Sequence, residues 1–146
     1  MSKSNSWENA LLLLLFNNTD AANIGDAAGL QNSATAGSLF ISLHTADPGE
    51  AGSQTTSEAT YTGYARKGVA RSGAGFTVTA NAVENAAAIT FDPCTAGSNT
   101  ITYFGVGTDT SGAGTLLYSG ALTASLAVSA GITPEFAAGA LDITED

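Results

Sequence analysis

From Leu39 to the end of the chain, no apolar run goes far before something interrupts it. "LFISL", "GFTVTA", "AAAITF", "TITYFGVG", "GTLLYSGAL", "SLAVSA" and "ALDITED" follow one another, with Gly, Asn, Asp or Pro at their borders. Runs this short suit strands of about five or six residues and are too short for helices of ten or more. "LFISL" has the period of a half-buried strand, with Leu39, Ile41 and Leu43 on one face and Phe40 and Ser42 on the other. "YTGYARKGVA" reads as a further strand, and "ADPGEAGSQTTSEAT" as a long loop. Short strands at close spacing predict a mainly β fold: a single antiparallel β-sandwich, jelly-roll-like, over residues 38–146, rather than βαβ units.

Ahead of the strands stands a different kind of segment. "NSWENALLLLLF", Asn5 to Phe16, reads as a helix, with Asn5 and Glu8 spaced as a capping box and Glu8 placed to complement the helix dipole. Trp7, Leu11, Leu14 and Leu15 share one face, while Leu12, Leu13 and Phe16 occupy the others. A helix apolar on nearly all sides asks to be covered on nearly all sides. One small sheet covers one face, so Trp7, Leu11, Leu12, Leu14, Leu15 and Phe16 are candidates for contact with a neighbouring subunit or particle surface. Residues 1–37 are accordingly read as a helical arm followed by a polar loop, "NTDAANIGDAAGLQNSATAG". The run Ala10–Phe16 falls well short of the roughly 20 apolar residues that a membrane span needs. As a signal peptide it fits badly, because Glu8 sits within the helix and "DAA" is a poor cleavage site.

Charge narrows the partners. The chain has 146 residues, a net charge of −9, and only 12% charged residues, about half the usual share. Four Lys and Arg in total cannot supply the several phosphate contacts of a nucleic-acid footprint or the basic patch that an anionic membrane attracts. Depletion of charge instead suits surfaces that meet other proteins. Three of the four cations, Arg66, Lys67 and Arg71, crowd into "YTGYARKGVARSG". Neighbours in a strand face opposite sides, so Arg66 and Lys67 cannot form one patch. They read as structural ion-pairing residues, partnered by carboxylates of the same chain or of another copy.

Reactive chemistry is sparse. His44 is the single histidine, no GxSxG elbow occurs, and His44 reads as a side chain bonded to backbone beside a turn. The GxG triplets at Gly73, Gly105 and Gly112 do not extend to a phosphate-binding motif. Cys94 stands alone, without a CxxC partner. Asp47, Glu50 and Glu58 lie close enough in sequence to gather around a cation, but without EF-hand spacing. "NNT" at Asn17 is a sequon that matters only in a secreted chain. No catalytic residue, cofactor or metal site is assigned.

"LFISLHTADPGEAGSQTTSEATYTGYARKGVARSG", "NAAAITF", "YFGVGTDTSGAGTLLYSGALTASLAVSAGITP" and the terminal "ITED" resemble a family of small tailed-bacteriophage virion proteins, often labelled tail-fibre or decoration-type proteins. The resemblance runs from the leucine-rich helix to the last residue. Phe76 stands where that family often has Trp, and Tyr103 where it often has His before "FGVG", so a two-histidine metal site is ruled out for this chain. The resemblance implies a non-enzymatic virion structural protein, made in the host cytoplasm and not secreted. Its partners would be capsid, neck or tail proteins and further copies of itself, with a trimer as one form. A compact acidic domain with an apolar arm suits capsid decoration or a head fibre; the alternative is a tail, collar or tail-fibre component. A rival of another class is a host-surface carbohydrate-binding module using Tyr61, Tyr64, Tyr103 or Tyr118, which a buried Tyr61 would remove.

Overall fold

The computed structural model describes residues 2–145. It is mainly β with one N-terminal helix, α1 (Asn5–Asn17), followed by nine strands: β1 (Ser38–His44), β2 (Lys67–Ala70), β3 (Phe76–Thr79), β4 (Ala82–Asn85), β5 (Ile89–Thr90), β6 (Ser98–Gly107), β7 (Leu116–Ser129), β8 (Glu135–Phe136) and β9 (Asp142–Thr144). They form sheets of order β2-β1-β6-β7, β3-β4-β9 and β5-β8. The β1–β6, β6–β7, β3–β4 and β4–β9 pairs are antiparallel, and only β3–β4 and β6–β7 join consecutive strands through short connections. The contacts gather into two compact units: Met1–Ser38 with Ala70–Ala88 and Phe136–Asp146, and Leu39–Val69 with Ile89–Glu135.

In the first unit α1 packs on β3 and β4. The cap differs by one residue from the sequence expectation. Ser4, extended at φ −85° and ψ 149°, is the N-cap and its side chain accepts from the Trp7 N–H, so Asn5 opens the helix instead. Ser4 wins because a short hydroxyl in extended backbone reaches the amide three residues on. The helix ends at Asn18, in the left-handed region at φ 52°, a conformation that asparagine tolerates better than most residues. Leu12 and Phe16, four residues apart, are completely buried, and the Phe16 ring meets Phe76 edge-on at 5.0 Å. Antiparallel register sets Val78 opposite Val83 and Val83 opposite Ile143. Asn85, itself buried, ties this unit together. Its amide donates to the carbonyls of Ala87 and Ala137, and its oxygen accepts from the Leu141 N–H, each at 2.8 Å.

The second unit is built on the four-stranded sheet. Ile41, Leu43, Ile101 and Val106 are buried, and Tyr61, Tyr64 and Phe91 form an aromatic chain with ring centroids 5.4 and 6.3 Å apart. On the face carrying Ser42 and His44, β6 has Gly105 and Gly107. A side chain at Gly105 would meet Ser42 Oγ and His44 Nε2, and one at Gly107 would meet Gln54. The glycines therefore make room for a polar layer over the sheet. "GTLLYSGAL" and "SLAVSA", read as separate strands, are one strand here. β7 runs through a register shift between the Tyr103–Ala121 and Ile101–Leu126 pairs, and this bulge absorbs the extra residues without ending the pairing.

Candidate functional site

The clustered cations occupy three separate environments. Arg66, just ahead of β2, is buried, and its guanidinium grips Glu58 through Nε (2.6 Å) and Nη2 (2.8 Å). Its remaining donors reach the carbonyls of Asp109 (2.9 Å) and Gly112 (2.7 Å). This two-pronged carboxylate grip holds Glu58 to the turn before β7, and the bond to Glu58 raises the Arg66 pKa. Tyr64 completes the cluster: its hydroxyl donates to Glu58 Oε1 at 2.9 Å and accepts from the Leu43 N–H at 3.0 Å. Burial pushes the Tyr64 phenol well above its ordinary pKa. Lys67 pairs with Asp92 at 2.8 Å on a more open surface.

Arg71 takes no carboxylate. It donates to the carbonyls of Leu15 (2.7 Å), Leu14 (2.8 Å) and Ala36 (3.1 Å). A cation is favoured there because the last turn of α1 presents unsatisfied carbonyls and the negative end of the helix dipole.

Of the helix candidates, Leu12 and Phe16 are covered within the chain and have no surface left to offer a partner. Trp7, Leu11, Leu14 and Leu15 are half-buried. They cluster on a helix face that flanks the one Leu12 and Phe16 bury. The Asn17 amide, turned to satisfy its surroundings, donates to the carbonyls of Phe16 (3.1 Å) and Phe76 (3.0 Å), which ties up the sequon asparagine.

His44 is completely buried, with Nδ1 2.8 Å from the Thr56 carbonyl and Nε2 2.8 Å from Ser42 Oγ. Burial lowers its pKa below 6.5, so the ring sits neutral, with Nδ1–H donating to the carbonyl and Nε2 accepting from the serine. Asp47, Glu50 and Glu58 do not converge. Glu58 is held by Arg66, while Asp47 and Glu50 border a cleft of about 610 Å³ that also involves Tyr103, Leu116, Leu117 and Ala121. No group of three His, Cys, Asp or Glu poised for a metal occurs among the described residues, and no described helix is long and apolar enough to cross a membrane.

Sequence reasoning passed over three polar anchors. Gln54 is fully buried, and its Oε1 accepts from the Asp109 N–H at 2.9 Å. Asn85 is the second. Asn99 is the third, its oxygen accepting from both Thr60 and Tyr61 N–H groups at 2.8 Å. Gln54 and Asn99 follow glycines in turn-rich stretches, whereas Asn85 lies in "AVENAAA" with no such signal. Tyr61 is 3% exposed, and its hydroxyl donates to the Asp92 carbonyl. The ring cannot stack on a sugar, which removes the carbohydrate-module reading in the form given above.

Residues 2–144 match the family model described as podophage GP4 fiber I protein gp80. The chain belongs to this family. No curated protein matches it. As a member of the fiber I family it is a phage fiber-type virion structural protein, and each of its two units is cross-braced by side-chain hydrogen bonds. The cations of the "YARKGVAR" stretch brace loops and a helix end rather than presenting a basic patch.

Proposed function

We infer that this fiber I family member is a multi-copy accessory component of the phage particle, of the capsid-decoration or head-fibre type, attached through the outer face of α1. Trp7, Leu11, Leu14 and Leu15 carry the reading. They form an apolar face that the chain's own fold covers incompletely, on a protein otherwise rich in neutral polar residues. Covering such a face stabilises a contact by about 25 cal/mol per Å² of apolar surface removed from water. A second copy, as in a trimer, or a neighbouring virion protein would supply the cover. The short acidic chain, without a fixed-period repeat, suits a cap on a preformed lattice better than a long shaft. The fiber description of the family favours a tail or collar position as the second reading.

Quantitative mass spectrometry of purified particles tests both. Decoration predicts hundreds of copies per particle, and a tail or collar place predicts about a dozen or fewer. Absence from the particle would end the proposal. Light scattering of the purified protein would show self-association as a mass above one chain, and a strict monomer would leave the particle lattice as the cover.

A further inference from the structure

The geometry points to the cleft between the Asp47–Gly52 loop and β7 as the docking groove for an extended, Lys- or Arg-bearing segment of a different virion protein. β7 is the end strand of its sheet. Its outer edge therefore presents a row of backbone N–H and C=O groups that an extended chain can pair with. No Asp, Glu, Lys or Arg occurs from Thr110 to Pro134, so no side-chain charge on the strand bars such an approach. The cleft of about 610 Å³ runs beside Leu116–Ala121, with Tyr103 and the two leucines providing apolar contact. Its lip carries two exposed carboxylates, Asp47 and Glu50. Asp47 uses Oδ1 to accept from the Gly49 N–H at 2.8 Å, which fixes the turn that places it.

Charge complementarity selects the occupant. The lip calls for a cation, and the chain has only four Lys and Arg. Each is already engaged within the chain: Lys3 with Glu145, Arg66 with Glu58, Lys67 with Asp92, and Arg71 with the carbonyls at the end of α1. A second copy, with its net charge of −9 and its four cations each already engaged, is a poor match for this lip. The occupant is therefore a foreign strand whose main chain extends the sheet along Leu116–Ala121 and whose basic side chains meet Asp47 and Glu50. This inference rests on the reading of the protein as a virion component, and names one of the contacts that reading requires.

The test uses the full chain and synthetic peptides tiled across the other structural proteins of the same particle, with binding read by fluorescence anisotropy. At least one Lys- or Arg-bearing peptide is expected to bind. Its affinity should fall about threefold to tenfold in the double variant Asp47→Asn/Glu50→Gln, as loss of two exposed ion pairs implies, and should fall further with added salt. N-methylation of alternate peptide amides should abolish binding. The double variant should melt at the parent temperature, since both side chains are exposed. The inference is overturned if no tiled peptide binds, if the hits are indifferent to the double variant, or if the groove takes glycans instead. Crosslinks joining β7 of one copy to β7 of another in the free protein would also overturn it. Failure here with the protein present in purified particles sinks the groove alone, whereas absence from particles sinks the particle reading itself.

Discussion

Arg66 and His44 show how single side chains fix the second unit. Arg66 is desolvated and answered by a carboxylate and two carbonyls, so removing it leaves Glu58 with its main partner gone. Arg66→Ala is expected to cost about 3–5 kcal/mol in urea unfolding, the usual range for breaking a buried pair; a loss below about 1 kcal/mol would mean the cluster is looser than its geometry. His44 gives a pH dependence of defined sign. Its folded pKa lies below 6.5, so the unfolded chain binds a proton that the folded chain refuses. The stabilisation is complete above 6.5 and is lost progressively as pH falls from there through the lower folded pKa. Denaturation curves between pH 7.5 and 5 should show this decline, and His44→Gln should flatten it. The sequence reads both residues as structural, the histidine as a lone one beside a turn and the arginine as part of a cluster of cations. It could not supply their partners, because Glu58, Thr56 and Gly112 reach them through loop geometry that has no periodic signal.

The elements with strong periodicity were legible. α1, β1, β3 and β6 lie where apolar spacing puts them, although β1 and β6 bury both faces, with Ser42 and His44 on the polar one. β4 escaped notice: "AVEN" is four residues long, with Glu84 on the open face and Asn85 buried as a hydrogen-bond hub, so its alternation is too brief to read. The run "YTGYARKGVA" shrinks to Lys67–Ala70, because Tyr61, Tyr64 and Arg66 are engaged from irregular backbone. Glycine and serine suggested two strands where β7 is one, since a bulge produces the same local composition as a turn. For α1 the two faces predict different responses. Phe16→Ala should destabilise by about 3–5 kcal/mol, as large-to-small core changes do. Leu11→Ser and Leu14→Ser should each cost about 1–2 kcal/mol, less than Phe16→Ala, because both side chains are only partly covered by the fold. Arg71→Met should loosen the end of α1, seen as faster amide exchange in its last turn; unchanged exchange would show that the carbonyls find other donors.

At the scale of the molecule, the helix is shared property. Leu12 and Phe16 belong to the core of the first unit, which α1 shares with residues 70–88 and 136–146. Deleting residues 1–16 is therefore expected to melt that unit rather than release an intact sheet, read as loss of dispersion in the amide spectrum of residues 70–88. The outer face of α1 is what remains for other polypeptides, and the assembly claim rests on it. Incorporation of the Leu11→Ser/Leu14→Ser double variant into particles, counted by mass spectrometry against the parent protein, tests that claim most directly. The account predicts a fall of about tenfold or more in copies per particle with the fold intact; equal incorporation would contradict it.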